Sequence, residues 1–224
     1  MDLDSEIMSK LQEVIDLLKE DYGVPVVDGR EEPLDSLIQV ILSQNTNDTN
    51  RDRAYQRLTE RFDTPEDIMK ADVREVADAI SVAGLHNIKA KRIQECLKEI
   101  EERRGGLDLS FLEEMGTEEA KKWLRRLPGI GPKSAAVVLN FTFGRETFPV
   151  DTHVFRVSKR LGLIPEYSTR ERAHKLLEGI VPGPRKQEFH INLIRHGRRI
   201  CKARKPLCSE CILKKKCDFY KERN

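Results

Sequence analysis

Between residues 117 and 153 the sequence reads TEEAKKWLRRLPGIGPKSAAVVLNFTFGRETFPVDTH, and at its centre Leu127-Pro128-Gly129-Ile130-Gly131-Pro132 interrupts a helical pattern twice within six residues. Proline lacks a backbone donor and clashes with the preceding turn, so Pro128 closes the first helix. Pro132 falls in the opening turn of a second helix, where a missing amide costs little. Ala135, Val138 and Leu139 give that second helix an apolar stripe. Helix, tight glycine hairpin, helix is the economical reading. Glycines on both sides of Ile130 let the backbone turn with its amides outward beside a helix N-terminus, a geometry suited to a phosphate. The same residues would also serve as an ordinary corner between two helices.

Two ionisable residues accompany the hairpin. Lys133 falls in the first turn of the second helix, where the positive end of the helix dipole disfavours an ammonium and favours the free amine. Asp151 stands in Pro149-Val150-Asp151-Thr152-His153, at a helix start. An aspartate there is also a good N-cap, and a cap alone would explain it.

The other apolar stripes are helical as well, without the alternation of strands, so the chain is all-α. The opening segment has Ile7, Met8, Leu11, Val14, Ile15 and Leu18 at helical spacing, and Leu34, Leu37, Ile38, Ile41 and Leu42 repeat the pattern. Further helices are predicted over 49–62, 73–80, 89–103, 152–161, 169–181 and 186–199, with a short one opened by Thr64-Pro65-Glu66-Asp67. Cys96 sits beside Ile93, Leu97 and Ile100 and reads as a small buried hydrophobe. His174, His190 and His196 read as packing or helix-surface residues, since no pair faces a second set of ligands.

Two loops break these helices with residues unsuited to a core. Ser43-Gln44-Asn45-Thr46-Asn47-Asp48 is either a solvated turn capping the next helix or a surface that hydrogen-bonds a partner. Ala83-Gly84-Leu85-His86-Asn87 is a second glycine corner, followed by Lys89, Lys91 and Arg92. Leu85 there is either tucked inward or exposed.

At 224 residues the chain can bury a real core, and two compact halves are expected. Its net charge of +2 hides an asymmetry: residues 1–32 carry ten acids against three bases, whereas Arg195 to Cys217 carries nine bases against Glu210 alone. An anionic partner would meet the C-terminal end. The acidic opening lacks the basic flank and unbroken apolar run of a signal peptide, and no run approaches the roughly 20 apolar residues of a membrane span. An intracellular, reducing compartment follows. In that setting the four cysteines in C-x6-C-x2-C-x5-C spacing, Cys201, Cys208, Cys211 and Cys217, suggest a soft metal rather than disulfides, with zinc the generic answer.

From about residue 35 to Cys217 the chain resembles endonuclease III, the DNA glycosylase/AP lyase branch of the helix-hairpin-helix superfamily. LPGIGPKSAAVVLNFTFG followed by VDTHVFRV is similar to that family's hairpin and catalytic aspartate, and the cysteine spacing matches its cluster loop in the expected order. The resemblance implies two helical lobes with a DNA-binding cleft between them. One is a six-helix barrel over 32–145 that holds the hairpin; the other, from 1–31 and 146–224, ends in the cluster loop. It also implies a 4Fe-4S cluster on the four cysteines and a monovalent cation at the hairpin. DNA contacts would come from Gln44, Asn45, Leu85 and His86, from Gly129, Ile130 and Gly131, and from the loop carrying Lys202, Arg204 and Lys205, with His153 as a pocket residue. Asn45 would enter the gap left by the flipped nucleotide and Leu85 would wedge opposite it. Two departures stand out: Asn45 replaces the family's usual glutamine, and Pro132 replaces a residue that is often basic.

The function so implied is a bifunctional enzyme of base excision repair. Lys133 would attack the sugar C1′ of an oxidised pyrimidine nucleotide such as thymine glycol, and Asp151 would accept a proton and steady the cationic sugar. The resulting Schiff base would be cut on the 3′ side by β-elimination. The partner is double-stranded DNA with damaged bases or abasic sites, met by a monomer away from membranes. Two alternatives remain: a glycosylase removing thymine or uracil opposite guanine, since Gln44-Asn45-Thr46-Asn47 reads like archaeal relatives of that kind, and a non-catalytic DNA-binding or redox-sensing module.

Overall fold

The computed structural model describes residues 3–26 and 32–223. Every regular element among them is helical. The chain divides into two compact units, Arg30–Arg145 and a second assembled from Met1–Gly29 with Glu146–Asn224. The first helix, α1 (Leu3–Tyr22), belongs to the second unit.

Unit Arg30–Arg145 runs through α2 (Pro33–Ser43), α3 (Asp48–Arg61), α4 (Pro65–Lys70), α5 (Val73–Ala79), α6 (His86–Arg104), α7 (Thr117–Leu124) and α8 (Pro132–Phe141). Polar residues stop and start these helices where the sequence implied. Asn47 accepts from the Asn50 amide and caps α3, Thr64 and Asp67 form a reciprocal capping box on α4, and Gly105 ends α6 with φ +75°. The apolar faces of α2, α5, α6 and α8 close over one core that includes Leu37, Ile41, Ile80, Ile93, Leu97 and Leu139. Each such side chain contributes about 2 kcal/mol through its removal from water.

The other unit packs α1 against α11 (Lys186–Arg199), and α11 against α9 (Thr152–Arg160), with α10 (Arg170–Ile180) and the short α12 (Asp218–Lys221) completing it. Leu11, Val14, Ile15 and Leu18 of α1 meet Val154, Val157, Phe189 and Leu193 in its core. Met8, expected in the same stripe, is 44% exposed, because it lies a turn ahead of the first residue that reaches the core. Before α9 the segment 146–150 has no regular structure and is tied from two helices instead. Glu178 accepts from the Phe148 amide at 3.0 Å, Lys186 Nζ donates to the Glu146 carbonyl at 2.8 Å, and His190 Nδ1 lies 2.9 Å from the Pro149 carbonyl. These ties fix the entry to Asp151. No helix among the described residues is long and apolar enough to cross a membrane.

Candidate active site

The hairpin forms where expected, but its two glycines have different jobs. After α7, the Leu127 and Ile130 amides donate back to Leu124 and Leu127 and tighten the chain. Gly129 takes φ +76°, and a Cβ there would stand 2.8 Å from Arg92 Cδ. Gly131 is extended, with φ −93°, and serves as the N-cap of α8. Only Gly129 therefore needs a residue without a side chain. Ile130, expected on DNA, has its side chain in the core at 5% exposure, so only its main chain can face a ligand. The hairpin carbonyls are held from behind: the Cys96 thiol donates to Pro128 O at 3.0 Å, and Gln44 Nε2 donates to Gly129 O at 2.9 Å. Cys96 is thus more than a small hydrophobe, and burial pushes its thiol up to about 12, so it stays a donor. Lys133 is the second residue of α8 and is half-buried.

The two loops that interrupt the helices are bound to each other. Asn45 and Leu85 both take the left-handed backbone region, at φ 53° and 49°, and both side chains are exposed. Leu85, at 53% exposure, is not a core residue of the corner. His86 begins α6 beside it. Gln44 is engaged within the protein: its Oε1 accepts from Arg92 Nη1 at 2.9 Å while its amide holds Gly129. Lys89, which follows the second glycine corner ahead of Lys91 and Arg92, is 1% exposed and lies beneath both loops.

In the second unit Asp151 caps α9, accepting from the Val154 amide at 2.7 Å. His153 Nδ1 lies 3.1 Å from Arg156 Nη2, and a Cβ on Gly197 would come within 2.9 Å of its Cβ, so its ring is braced against α11. His190 and His196 are buried packing residues, as expected. Burial lowers the His196 ring to about 4, which keeps it neutral beside Cys211, 3.5 Å away.

Cys201, Cys208, Cys211 and Cys217 line one pocket, together with Val157, Leu213 and Phe219. Burial raises Cys211 to about 11 and also raises Cys217, so unliganded they remain thiols and metal binding would release protons. No three of the described His, Cys, Asp and Glu side chains converge on a point that would hold a single ion. Two arginines of α9, absent from the sequence reading, support the loop between the first two cysteines. Arg156 Nε donates to Cys201 O at 3.0 Å; Arg160 donates to Cys201 Sγ, Lys202 O and Ala203 O at 3.3, 2.8 and 3.1 Å. That leaves Lys202, Arg204 and Lys205 exposed at its tip.

A glycine hairpin feeding a lysine-bearing helix, with a four-cysteine loop after it, defines an all-α protein of the helix-hairpin-helix class. Residues 38–182 match the family described as HhH-GPD superfamily base excision DNA repair protein. The chain is 39% identical to endonuclease III of Thermotoga maritima, over 86% of this chain and 85% of that one. It is 35% identical to endonuclease III of Escherichia coli, over 96% and 97%. An endonuclease III solved as a trapped covalent intermediate with DNA superposes with a TM-score of 0.83 at 29% identity, over 96% of this chain and 98% of that one. A thermostable thymine-DNA glycosylase superposes at 0.81 and 25% identity, over 99% and 100%. The chain belongs to the HhH-GPD superfamily of base excision DNA repair proteins, among its endonuclease III members. It is a DNA glycosylase with AP lyase activity.

Proposed function

We propose that this glycosylase removes oxidised pyrimidines such as thymine glycol from duplex DNA, with Lys133 as the amine that attacks and Asp151 as the carboxylate that assists. The observation that carries the reading is a primary amine in the first turn of the helix that leaves the glycine hairpin. A base stacked in a duplex is out of reach, so the nucleotide is first rotated out. Lys133 Nζ, unprotonated, bonds to C1′ as the C1′–N bond to the base breaks, and the base leaves with a proton. The sugar ring opens to a protonated Schiff base. Removal of a C2′ proton then expels the 3′ phosphate and cuts the strand, and water releases Lys133. The Asp151 carboxylate is the proton acceptor and counters the positive charge on the sugar. It can do so while capping α9, because a carboxylate accepts several hydrogen bonds at once. The hairpin amides and the cationic tip Lys202, Arg204 and Lys205 bind backbone phosphates, which position without reading sequence.

The four cysteines fit a 4Fe-4S cluster better than zinc. Four cysteines in C-x6-C-x2-C-x5-C spacing that share one pocket suit a cluster whose corners each take one sulfur, and the apolar lining suits it as well. When bound, the cluster staples the loop and holds its cations in place. The monovalent cation would take hairpin carbonyls, each of which keeps one lone pair beyond its present hydrogen bond.

Borohydride trapping on a thymine-glycol duplex is the test. A covalent protein–DNA adduct that disappears in Lys133→Ala is expected; its persistence in that variant would remove Lys133 from the chemistry. The similarity to a thymine-DNA glycosylase favours a second reading, excision of thymine or uracil opposite guanine. Parallel excision assays on mismatched and thymine-glycol duplexes separate the two.

A further inference from the structure

Lys89 is buried to 1% exposure with no carboxylate paired to it among the described residues. A lone buried ammonium is costly, so its surroundings must supply what water would. They supply three acceptors. Nζ donates to Leu42 O at 2.7 Å, Thr46 Oγ1 at 2.6 Å and Ala83 O at 2.8 Å. An ammonium has three protons, so the set is complete only while the charge is kept. Leu42 O belongs to the last turn of α2, where carbonyls point out of the helix and carry partial negative charge. With three partners and almost no exposure, this amine is not a second nucleophile.

The three acceptors come from two separate loops. Leu42 and Thr46 bracket Asn45, and Ala83 lies two residues before Leu85. The Thr46 hydroxyl also donates to Ala83 O, so the loops are joined twice. Asn45, Leu85 and Lys205 are the non-glycine residues with positive φ among those described. Each such residue costs about 1–2 kcal/mol, which persists only where surrounding contacts impose it.

We propose that Lys89 is a positioning residue for lesion recognition, tying the Asn45 and Leu85 turns into one rigid unit so that both side chains enter the duplex together. This rests on the proposed function above, in which those two side chains face DNA. Loosening the tie lets each turn relax towards ordinary backbone and withdraw its side chain, which slows extrusion of the nucleotide but not the chemistry on an extruded sugar.

The full-length protein with its visible absorbance intact is compared as wild type, Lys89→Met, Thr46→Val and Thr46→Ser. Two single-turnover rates are measured: excision from a thymine-glycol duplex, and borohydride trapping on the same duplex already converted to an abasic site. Fluorescence of 2-aminopurine opposite the lesion reports opening of the stack. Lys89→Met is expected to slow duplex excision roughly 10- to 100-fold and to abolish the fluorescence rise, with abasic-site trapping within about threefold of wild type. Thr46→Val should move the same way by less, and Thr46→Ser, which keeps the hydroxyl, should return to wild type. Unchanged duplex excision in a folded Lys89→Met protein overturns the proposal. So does an equal fall in both rates, which would mean a general loss of structure. Should Lys89→Met not fold, Thr46→Val decides by the same two criteria. A wild-type protein that fails to trap at an abasic site defeats the proposed function itself, and this inference with it.

Discussion

The glycine hairpin and the cysteine loop are both short turns that present polar groups outward, yet they are held in opposite ways. The hairpin is fixed from inside: Ile130 is in the core, and Cys96 and Gln44 hold the carbonyls of Pro128 and Gly129. The stretch from Lys202 to Leu207 has no fully buried residue; its apolar members Pro206 and Leu207 are half-buried. It closes on itself through Lys202 and Leu207 amides to Ile200 O, and leans on Arg156 and Arg160. A turn that must offer amides can send its side chain into a core, whereas a turn that must offer lysines and arginines needs a staple. The proposed cluster on the four cysteines that line one pocket would supply one.

The largest test of that contrast removes the staple. Cys208→Ser should lose the visible absorbance and make the 202–207 loop cleavable by trypsin, while Arg30–Arg145 keeps its protease resistance; limited proteolysis followed by mass spectrometry reads both. A bound structural metal can be worth on the order of 10 kcal/mol, so equal resistance of the loop in this variant would break the comparison. Next in size, Asp151→Asn keeps a side chain able to cap α9 and removes the charge. Excision should fall about 10²- to 10⁴-fold in single-turnover assays with the melting temperature unchanged. A matching loss of stability would show that Asp151 only caps.

Ile130→Ala tests the hairpin from the other side. Emptying a buried isoleucine site should cost about 2–4 kcal/mol in urea unfolding and weaken binding to an abasic-site analogue, but should leave the absorbance of the cluster untouched. The smallest effect concerns Lys89, whose burial lowers it from 10.5 to about 8. Between those two values the unfolded chain holds the proton and the folded one has released it, so stability rises with pH across that window. Relative to Lys89→Met, the wild type should gain roughly 1 kcal/mol between about pH 7.5 and pH 9 in urea melts. A gain of the opposite sign would mean that the three acceptors stabilise the charge more than burial penalises it.

The chemistry-bearing residues were legible because their spacing is local. Pro128 and Pro132 bound the hairpin, a cap residue precedes each of α3, α4 and α9, and four cysteines crowd into one short segment. What stayed hidden depends on residues far apart in the chain. Lys89 stands in a run with Lys91 and Arg92, and nothing local sets it apart; only the meeting of residues 42, 46 and 83 shows that it is interior. Arg92 occupies the space that a side chain at position 129 would need, and Arg160 reaches a cysteine 41 residues on. Gln44 has the composition of a surface contact, and its engagement with both α6 and the hairpin follows from tertiary packing alone.

The apolar face of α1 finds its neighbours very late in the chain. Leu11, Val14, Ile15 and Leu18 close against Val154, Phe189 and Leu193, which follow after all of Arg30–Arg145. On a ribosome adding 5–20 residues per second, that face waits roughly ten to forty seconds before its core can form. Arg30–Arg145 can finish folding in that interval. Nascent α1, with six acids beside its hydrophobic stripe, must stay soluble on charge alone until α11 emerges.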